Sequence, residues 1–306
     1  MRKPELKRIT AALRQLTADQ RKCVVVELAA LDVQSASTVL IEGCFACGST
    51  CSRCKPMHVR CRECCKMFST LTGTPLNRLH KRGKWLEQAH ALQDGQTLRE
   101  ISRALRIHLS TAHRWRHRFL AVPKINQPQS LAGIAETGET MFLLSLKGKP
   151  SGLDRRARKR GGKAAQRGLS HEQVPVLVAR DRAGATMDCV LEAKDMATLS
   201  VALKPFLTKD VVLCTDGSKA FAGAARKIGI EHHAVNLSAG IRVDGAWHVQ
   251  NVNAYRSRFK ACVQKFRGVA TCYLVSHFGW FRALDRKNGD GPKPQQWLAM
   301  AIGETA

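Results

Sequence analysis

Acidic residues are scarce in this chain of 306 residues: 24 Asp and Glu stand against 50 Lys and Arg, a formal net charge of +26. That imbalance, with a pI near 10.1, points to a polyanionic partner. A long apolar run is also missing. No stretch approaches the ~20 residues that span a bilayer, and the longest, around Val174–Ala179, is interrupted by Pro175 and flanked by charge. No strong amphipathic basic anchor is evident either, so nucleic acid is favoured over a membrane surface as the polyanion. The opening MRKPELKRIT is basic but has no apolar core behind it, so it does not read as a secretory signal. The expected location is a reducing cytoplasm, with no membrane partner. Hydrophobic content of 44% argues against wholesale disorder and supports globular domains.

In a reducing compartment disulfides are disfavoured, so the 12 cysteines argue for metal. Seven of the 12 fall between residues 44 and 65, in CFACGSTCSRCKPMHVRCRECC. Each CxxC makes a tight knuckle with two thiolates on one side, and two facing knuckles complete a tetrahedral zinc site. Cys44, Cys47, Cys61 and Cys64 have the spacing of a zinc ribbon, and Gly48 suits the first knuckle's turn. Cys51 and Cys54 form a competing pair, Cys65 and His58 lie nearby, and a redox pair or adventitious cysteines remain alternatives. With four protein ligands a bound Zn²⁺ would be structural, leaving no open position for chemistry. Arg53, Lys55, Arg60, Arg62 and Lys66 decorate this module and are candidates to touch phosphates.

Residues 84–120 read as three helices. KWLEQAHAL is broken by Asp94-Gly95. TLREISRAL carries Thr97 and Glu100 at capping-box spacing. STAHRWRHRFL is capped by Ser110 or the residue before it. Two short helices about a tight turn, the second rich in Arg and His, fit a helix-turn-helix. Thr111, His113, Arg114 and His117 would then face the major groove, while Trp115 and Phe119 hold the helix to its own core. An ordinary three-helix bundle with a solvated basic face fits the same pattern.

From about residue 131 the pattern changes to strands followed by helices. LAGIAETGETMFLLSL is a strand, and VPVLVARDRAG with MDCVLEA reads as a hairpin. A helix capped by Asp195 follows, then the strand DVVLCTDG, the helix KAFAGAARKIG, the strand HHAVNL and a long basic helix from His248. Three antiparallel strands and then alternating elements match the order of an RNase H-like fold, α/β with a mixed sheet. Asp216 closes an apolar strand and Gly217 turns the chain, the place where open α/β sheets put their chemistry. The domains expected are an N-terminal helical segment (1–40), a zinc ribbon (41–70), a helix-turn-helix region (71–125), the α/β domain (131–285) and a loose C-terminal tail (286–306) with a short helix near Trp297.

FSTLTGTPLNRL, TAHRWRHRFL, KRGGKAAQRGLSHEQVPVLVARDRAG, VLCTDG and HVQNVNAYRSRFK carry a resemblance, over residues 40–285, to bacterial insertion-sequence transposases of the DDE type that begin with a zinc ribbon. The resemblance implies double-stranded DNA as partner, both transposon terminal repeats and target, and a homo-oligomer that synapses two ends. It also implies two divalent metals, Mg²⁺ or Mn²⁺, held by three side chains for in-line attack on a phosphodiester. The second Asp of that set falls on Asp216. The third position, usually Glu, falls on Asn253, as in an Asn-bearing subgroup, and Lys260 also matches. His248 is close enough in sequence to reach the same place.

The first Asp of the set falls on Gly138. Strand alternation puts residues 136, 138 and 140 on one face and 139 on the other. Glu136 is therefore the better substitute for the missing acid than Glu139, though one pleat repeat away, about 6.8 Å. With Gly138 and Asn253, only Asp216 brings a carboxylate to the three matched positions. The expectation is a transposase by descent and DNA binding with impaired catalysis, rescued by Gly138→Asp; a catalytically inactive DNA-binding derivative is the alternative.

Between the first two strands of that domain, residues 147–171 are dense in Lys and Arg with a single acid, including Arg155, Arg156, Arg158, Lys159 and Arg160. Charge repulsion and glycines disfavour a packed structure, and an exposed arm along DNA phosphates is expected. If it neutralises about six phosphates, duplex affinity falls with a log–log salt slope of about −5. Titrations across a salt series measure that slope, and a flat response rules the role out.

Overall fold

The computed structural model describes residues 43–55, 58–69, 71–148, 164–165, 170–236, 239–285 and 291–302. The expected helical segment at 1–40 lies outside the described residues, as do Arg155, Arg156, Arg158, Lys159 and Arg160. The described chain forms two compact units, one ending at Val122 and resuming at Pro292, the other spanning Pro123–Gly291. Among the described residues no helix is long and apolar enough to cross a membrane.

In the first unit β1 (Cys51–Lys55), β2 (His58–Cys61) and β3 (Met67–Ser69) make a small antiparallel sheet in that order. Helices α1 (Trp85–Gln93), α2 (Leu98–Ala104) and α3 (Leu109–Phe119) follow, then a short α4 (Ala121–Ile125). The capping box on α2 forms: Thr97 Oγ1 accepts the Glu100 N–H at 3.4 Å, and Glu100 Oε2 accepts the Thr97 N–H at 2.6 Å. The start of α3 departs from expectation. Neither Ser110 nor Leu109 caps it; His108 does, its Nδ1 accepting the Ser110 N–H at 3.3 Å. An imidazole nitrogen can fill the role usually given to a hydroxyl or carboxylate because it is also an acceptor.

The short helix expected near Trp297 forms, and it is packed rather than loose. Residues 294–302 are a helix packed on α1 and α3. Trp297, Met300 and Ala301, at helical spacing, are buried to 1% exposure or less. One apolar stripe was enough to bring the segment into the core.

The second unit is built on β4 (Ile134–Leu143), β5 (Gln173–Asp181), β6 (Thr186–Val190), β7 (Val212–Thr215) and β8 (Glu231–Ala234). They form one sheet in the order β6-β5-β4-β7-β8. The first three pair antiparallel, and β7 and β8 join in parallel, so the sheet is mixed as the element order implied. Between them run α5 (Met196–Leu203), capped by Asp195 through the Thr198 N–H at 2.9 Å, and α6 (Lys219–Ile228). A hairpin, β9 (Val243–Asp244) and β10 (Trp247–His248), leads into α7 (Gln250–Lys265), and α8 (Leu274–Leu284) closes the unit.

Strand alternation divides the core in two. Ala135, Leu177, Ala179 and Leu213 pack against α5 and α6 through Leu199, Leu203, Phe221 and Ala224. Val176, Val178 and Cys214 pack on the other side against Val252, Tyr255 and Phe259 of α7 and Phe278 and Phe281 of α8. The sheet is thus covered on both faces, with α7 lying across β4 and β5.

Helix α8 is fixed to the segment that begins this unit. Arg282 donates to the carbonyls of Pro123 and Asn126, each at 3.1 Å, and pairs with the buried Asp188. Contact there is so close that a Cβ on Gly279 would stand 2.2 Å from the Pro123 carbonyl oxygen and 2.6 Å from Lys124 Cα. Backbone cannot step aside as a side chain can. Gly279→Ala should therefore cost about 2 kcal/mol or more, read as a Tm lower by roughly 4–8 °C in thermal unfolding of the full chain.

Candidate functional site

Cys44, Cys47, Cys61 and Cys64 come together. Cys44 Sγ lies 3.5 Å from Cys64 Sγ, and Cys47 Sγ lies 3.5 Å from Cys61 Sγ. All four sulfurs fall within 4.8 Å of one another; a tetrahedral Zn–S shell of about 2.3 Å sets its sulfurs about 3.8 Å apart. The knuckles are formed by backbone N–H groups that point at sulfur, Ala46 to Cys44 at 3.3 Å and Cys64 to Cys61 at 3.4 Å. Gly48 takes the left-handed φ of 74° that its turn requires.

Cys51 and Cys54 are not in the cluster. Their thiols point to the carbonyls of Ser49 and His58. Cys47 and Cys64 are shifted in opposite directions. The Ser49 hydroxyl and backbone N–H pull Cys47 down to about 6. At Cys64 the Lys66 N–H also pulls down, but burial and the neighbouring sulfurs outweigh it and push the thiol up to about 12. Four sulfurs at this spacing fit a divalent metal, because a cation would relieve the crowding that holds the last proton.

On α3, Arg114 is exposed, and Thr111, His113 and His117 are half-buried. The rings of His113 and His117 meet edge-on, centroids 4.5 Å apart. Burial, and then the charge of Arg116, lower the His113 pKa, so its ring is neutral at neutral pH and acts as a hydrogen-bonding group. Trp115 and Phe119 are fully buried, as expected of the core-facing side. Arg116 shares that buried side, donating to the Gln96 carbonyl; burial pulls its pKa down to about 10. Position 116 follows Ala112 by four residues, so helical spacing alone placed this cation inside.

In the second unit the alternation along β4 is as the sequence implied: Glu136 and Gly138 face α7, and Glu139 pairs with Lys194. Glu136, however, is fully enclosed and already engaged. Oε1 accepts from Arg182 at 2.5 Å and from Asn251 Nδ2 at 2.8 Å; Oε2 accepts the Val252 N–H at 2.9 Å. The carboxylate thus sits at the positive end of α7 and holds it to β4. His248 belongs to the same group, 3.4 Å from Glu136 Oε1 and 2.6 Å from Arg182 Nη1 through Nε2. Glu136 and His248 are therefore both engaged in contacts within the fold.

At Gly138 the side-chain space is filled from α7. A Cβ there would lie 2.6 Å from Nη1 of Arg256. Nη1 donates to Asn253 Oδ1 at 2.9 Å, and Nη2 donates to the Glu139 carbonyl. Burial lowers the Arg256 pKa, while the charges of Glu139 and Asp216 pull it back up. Asp216 is exposed just beyond β7, accepting the Ser218 N–H at 3.3 Å. Lys260, one turn past Arg256, reaches solvent; partial burial and then the Arg256 charge lower its pKa. Gly138 and Asn253 are thus brought together around Arg256, with Asp216 and Lys260 in electrostatic range of it.

Arg256 was the residue sequence reasoning missed. The signal was present: Asn253, Arg256 and Lys260 recur at helical spacing on one face of α7. A divalent pair does not fit here. Asp216 is the sole carboxylate at the three matched positions, the Asn253 oxygen is taken, and a guanidinium stands where another ligand would approach. Among the described residues, the cysteine quartet is the one His, Cys, Asp or Glu group arranged to hold a metal.

Residues 131–276, a little under half of the chain, match the ISXO2-like transposase domain, and residues 80–124 match a homeodomain-like domain. Together the matches support a transposase with a DNA-binding helical region. No curated protein matches the chain. Similar solved structures include a chain of the simian T-cell lymphotropic virus intasome in complex with PP2A regulatory subunit B56 gamma, at 12% identity and TM-score 0.30, covering 58% of this chain and 61% of that one. Others are a pre-cleavage Mos1 transpososome, at 14% identity and TM-score 0.23, covering 72% and 78%, and the Mos1 mariner paired-end complex with Mn, at 14% and 0.22, covering 72% and 77%. The chain spans about three fifths of the length of the intasome chain.

The engagement of Glu136 generates a test. Removing a buried carboxylate leaves Arg182 and the first turn of α7 without their acceptor. Glu136→Ala should destabilise the chain by about 3 kcal/mol, measured by denaturant unfolding. Glu136→Gln keeps an acceptor for the α7 N–H and should lose less.

Proposed function

We propose that this chain is an insertion-sequence transposase that binds double-stranded DNA and whose strand-cleavage chemistry is impaired. Its helix-turn-helix and a zinc ribbon, with structural Zn²⁺ on Cys44, Cys47, Cys61 and Cys64, supply the DNA contacts, and the RNase H-like unit is descended from a cleavage domain. Support for DNA as partner comes from the charge of +26 and the two domain matches. Transposon ends, target DNA and a synaptic homo-oligomer in the cytoplasm follow from the same reading.

The observation that carries the impairment is the guanidinium of Arg256 over Gly138, with the Asn253 oxygen bound to it. Thr111, His113, Arg114 and His117 of α3 face the groove in this reading. A neutral His113 would read bases, and Arg114 would pair with phosphate or guanine.

One observation favours a working nuclease instead: Asp216 stands exposed at the strand end, and Lys260 stands exposed on α7, each within electrostatic range of Arg256. The two readings separate in one assay. Labelled duplexes covering the DNA that flanks the reading frame should be bound by the full chain. With Mg²⁺ or Mn²⁺ they should be nicked no faster than by the Asp216→Asn variant. Nicking that depends on Asp216 would overturn the impaired reading, and absence of duplex binding would overturn the DNA partner itself.

A further inference from the structure

The coupling between Gly138 and Arg256 goes beyond a missing acid. Gly138 is buried in the middle of β4, where a glycine weakens a strand and contributes no packing. What it provides is room. Its absent Cβ leaves the space that Nη1 of Arg256 enters, and any larger residue would meet that atom at 2.6 Å. The guanidinium is then fixed on two sides, by Asn253 Oδ1 and by the Glu139 carbonyl. Both are neutral oxygen acceptors of the kind that would otherwise be offered to a cation. Arg256 is held as an ion would be held.

We propose that Arg256 stands in for a divalent cation at this site, so that the site excludes Mg²⁺ and Mn²⁺ and receives a DNA backbone phosphate directly. The charges facing the position agree. Arg256 and Lys260 are cationic, Asp216 is an exposed carboxylate that acts on Arg256, and Glu139 is compensated by Lys194. A second and third positive charge would be added to a cluster already positive, whereas an anion would be welcomed. Arg256 has five N–H donors, of which two are used on protein oxygens, and Lys260 projects to solvent one turn on. The phosphate half of the inference rests on the DNA-binding reading above; the exclusion of cations does not.

A corollary changes the expected rescue. Gly138→Asp alone would place a carboxylate against Arg256, and the two would pair with each other instead of creating a metal site. Opening the site takes a second change, Arg256→Ala.

Mn²⁺ titration followed by EPR, on zinc-loaded full chain, tests this without any activity readout. The wild-type chain and Gly138→Asp should leave Mn²⁺ free. The double variant Gly138→Asp/Arg256→Ala should bind one equivalent, lost when Asp216→Asn is added. Wild-type binding of Mn²⁺ that Asp216→Asn removes would overturn the proposal. So would a folded double variant that binds none, or a Gly138→Asp variant that binds as well as the double.

The phosphate is tested separately, with duplex and EDTA. Arg256→Gln should reduce the magnitude of the log–log salt slope by about 1; an unchanged slope in a variant with wild-type circular dichroism would overturn that half. If the chain binds no duplex at all, the DNA reading fails while the Mn²⁺ result still stands on its own.

Discussion

The second unit depends on a buried carboxylate at the beginning of a helix. Glu136 carries its charge into a fully enclosed position on β4, where an unpaired acid would be costly. Three donors converge on it, from Arg182, the Asn251 side chain and the Val252 backbone. Two of the three belong to the first turn of α7, so the same interaction that neutralises the acid fixes where α7 lies on the sheet. Everything further along that helix inherits its position from this clamp. Arg256 arrives over Gly138, with Asn253 and Lys260 at helical spacing on either side of it, because the helix begins where it does.

This arrangement explains how an acid can look catalytic and be architectural. Glu136 lies on the expected face, near the expected position, and beside a histidine. Strand alternation can specify a face, but it cannot say which helix will dock there or with which donors. Asn251 and Val252 are more than a hundred residues away in sequence, and nothing local to GIAETGETMF shows that they will claim both oxygens. The same limit hid Arg256. Its spacing from Asn253 was visible, but the emptiness it fills belongs to another strand, and a void is seen only once two elements meet.

Local chemistry was far more legible. Apolar alternation and turn residues marked the succession of strands and helices along the second unit, and Thr97 with Glu100 marked the start of α2, because each signal is contained within a few residues. The cysteine quartet was readable for a related reason: the two CxxC knuckles depend on backbone N–H groups two and three residues away. Cys51 and Cys54 share the motif but both lie within β1, and their thiols turn to the carbonyls of Ser49 and His58 instead. His108 is not marked by the sequence because histidine rarely caps; the helix near Trp297 is marked, but its packing is not, because a short apolar stripe after a polar stretch looks dispensable until its partner surface is known.

That C-terminal helix has an implication for how the molecule is made. Trp297 and its neighbours complete the bundle formed by α1 and α3, yet they are synthesised after the whole of the α/β unit. Until residues 294–302 have been made, the bundle of α1 and α3 lacks a wall of its own interior. The α/β unit is therefore complete in sequence before the first unit can close its core.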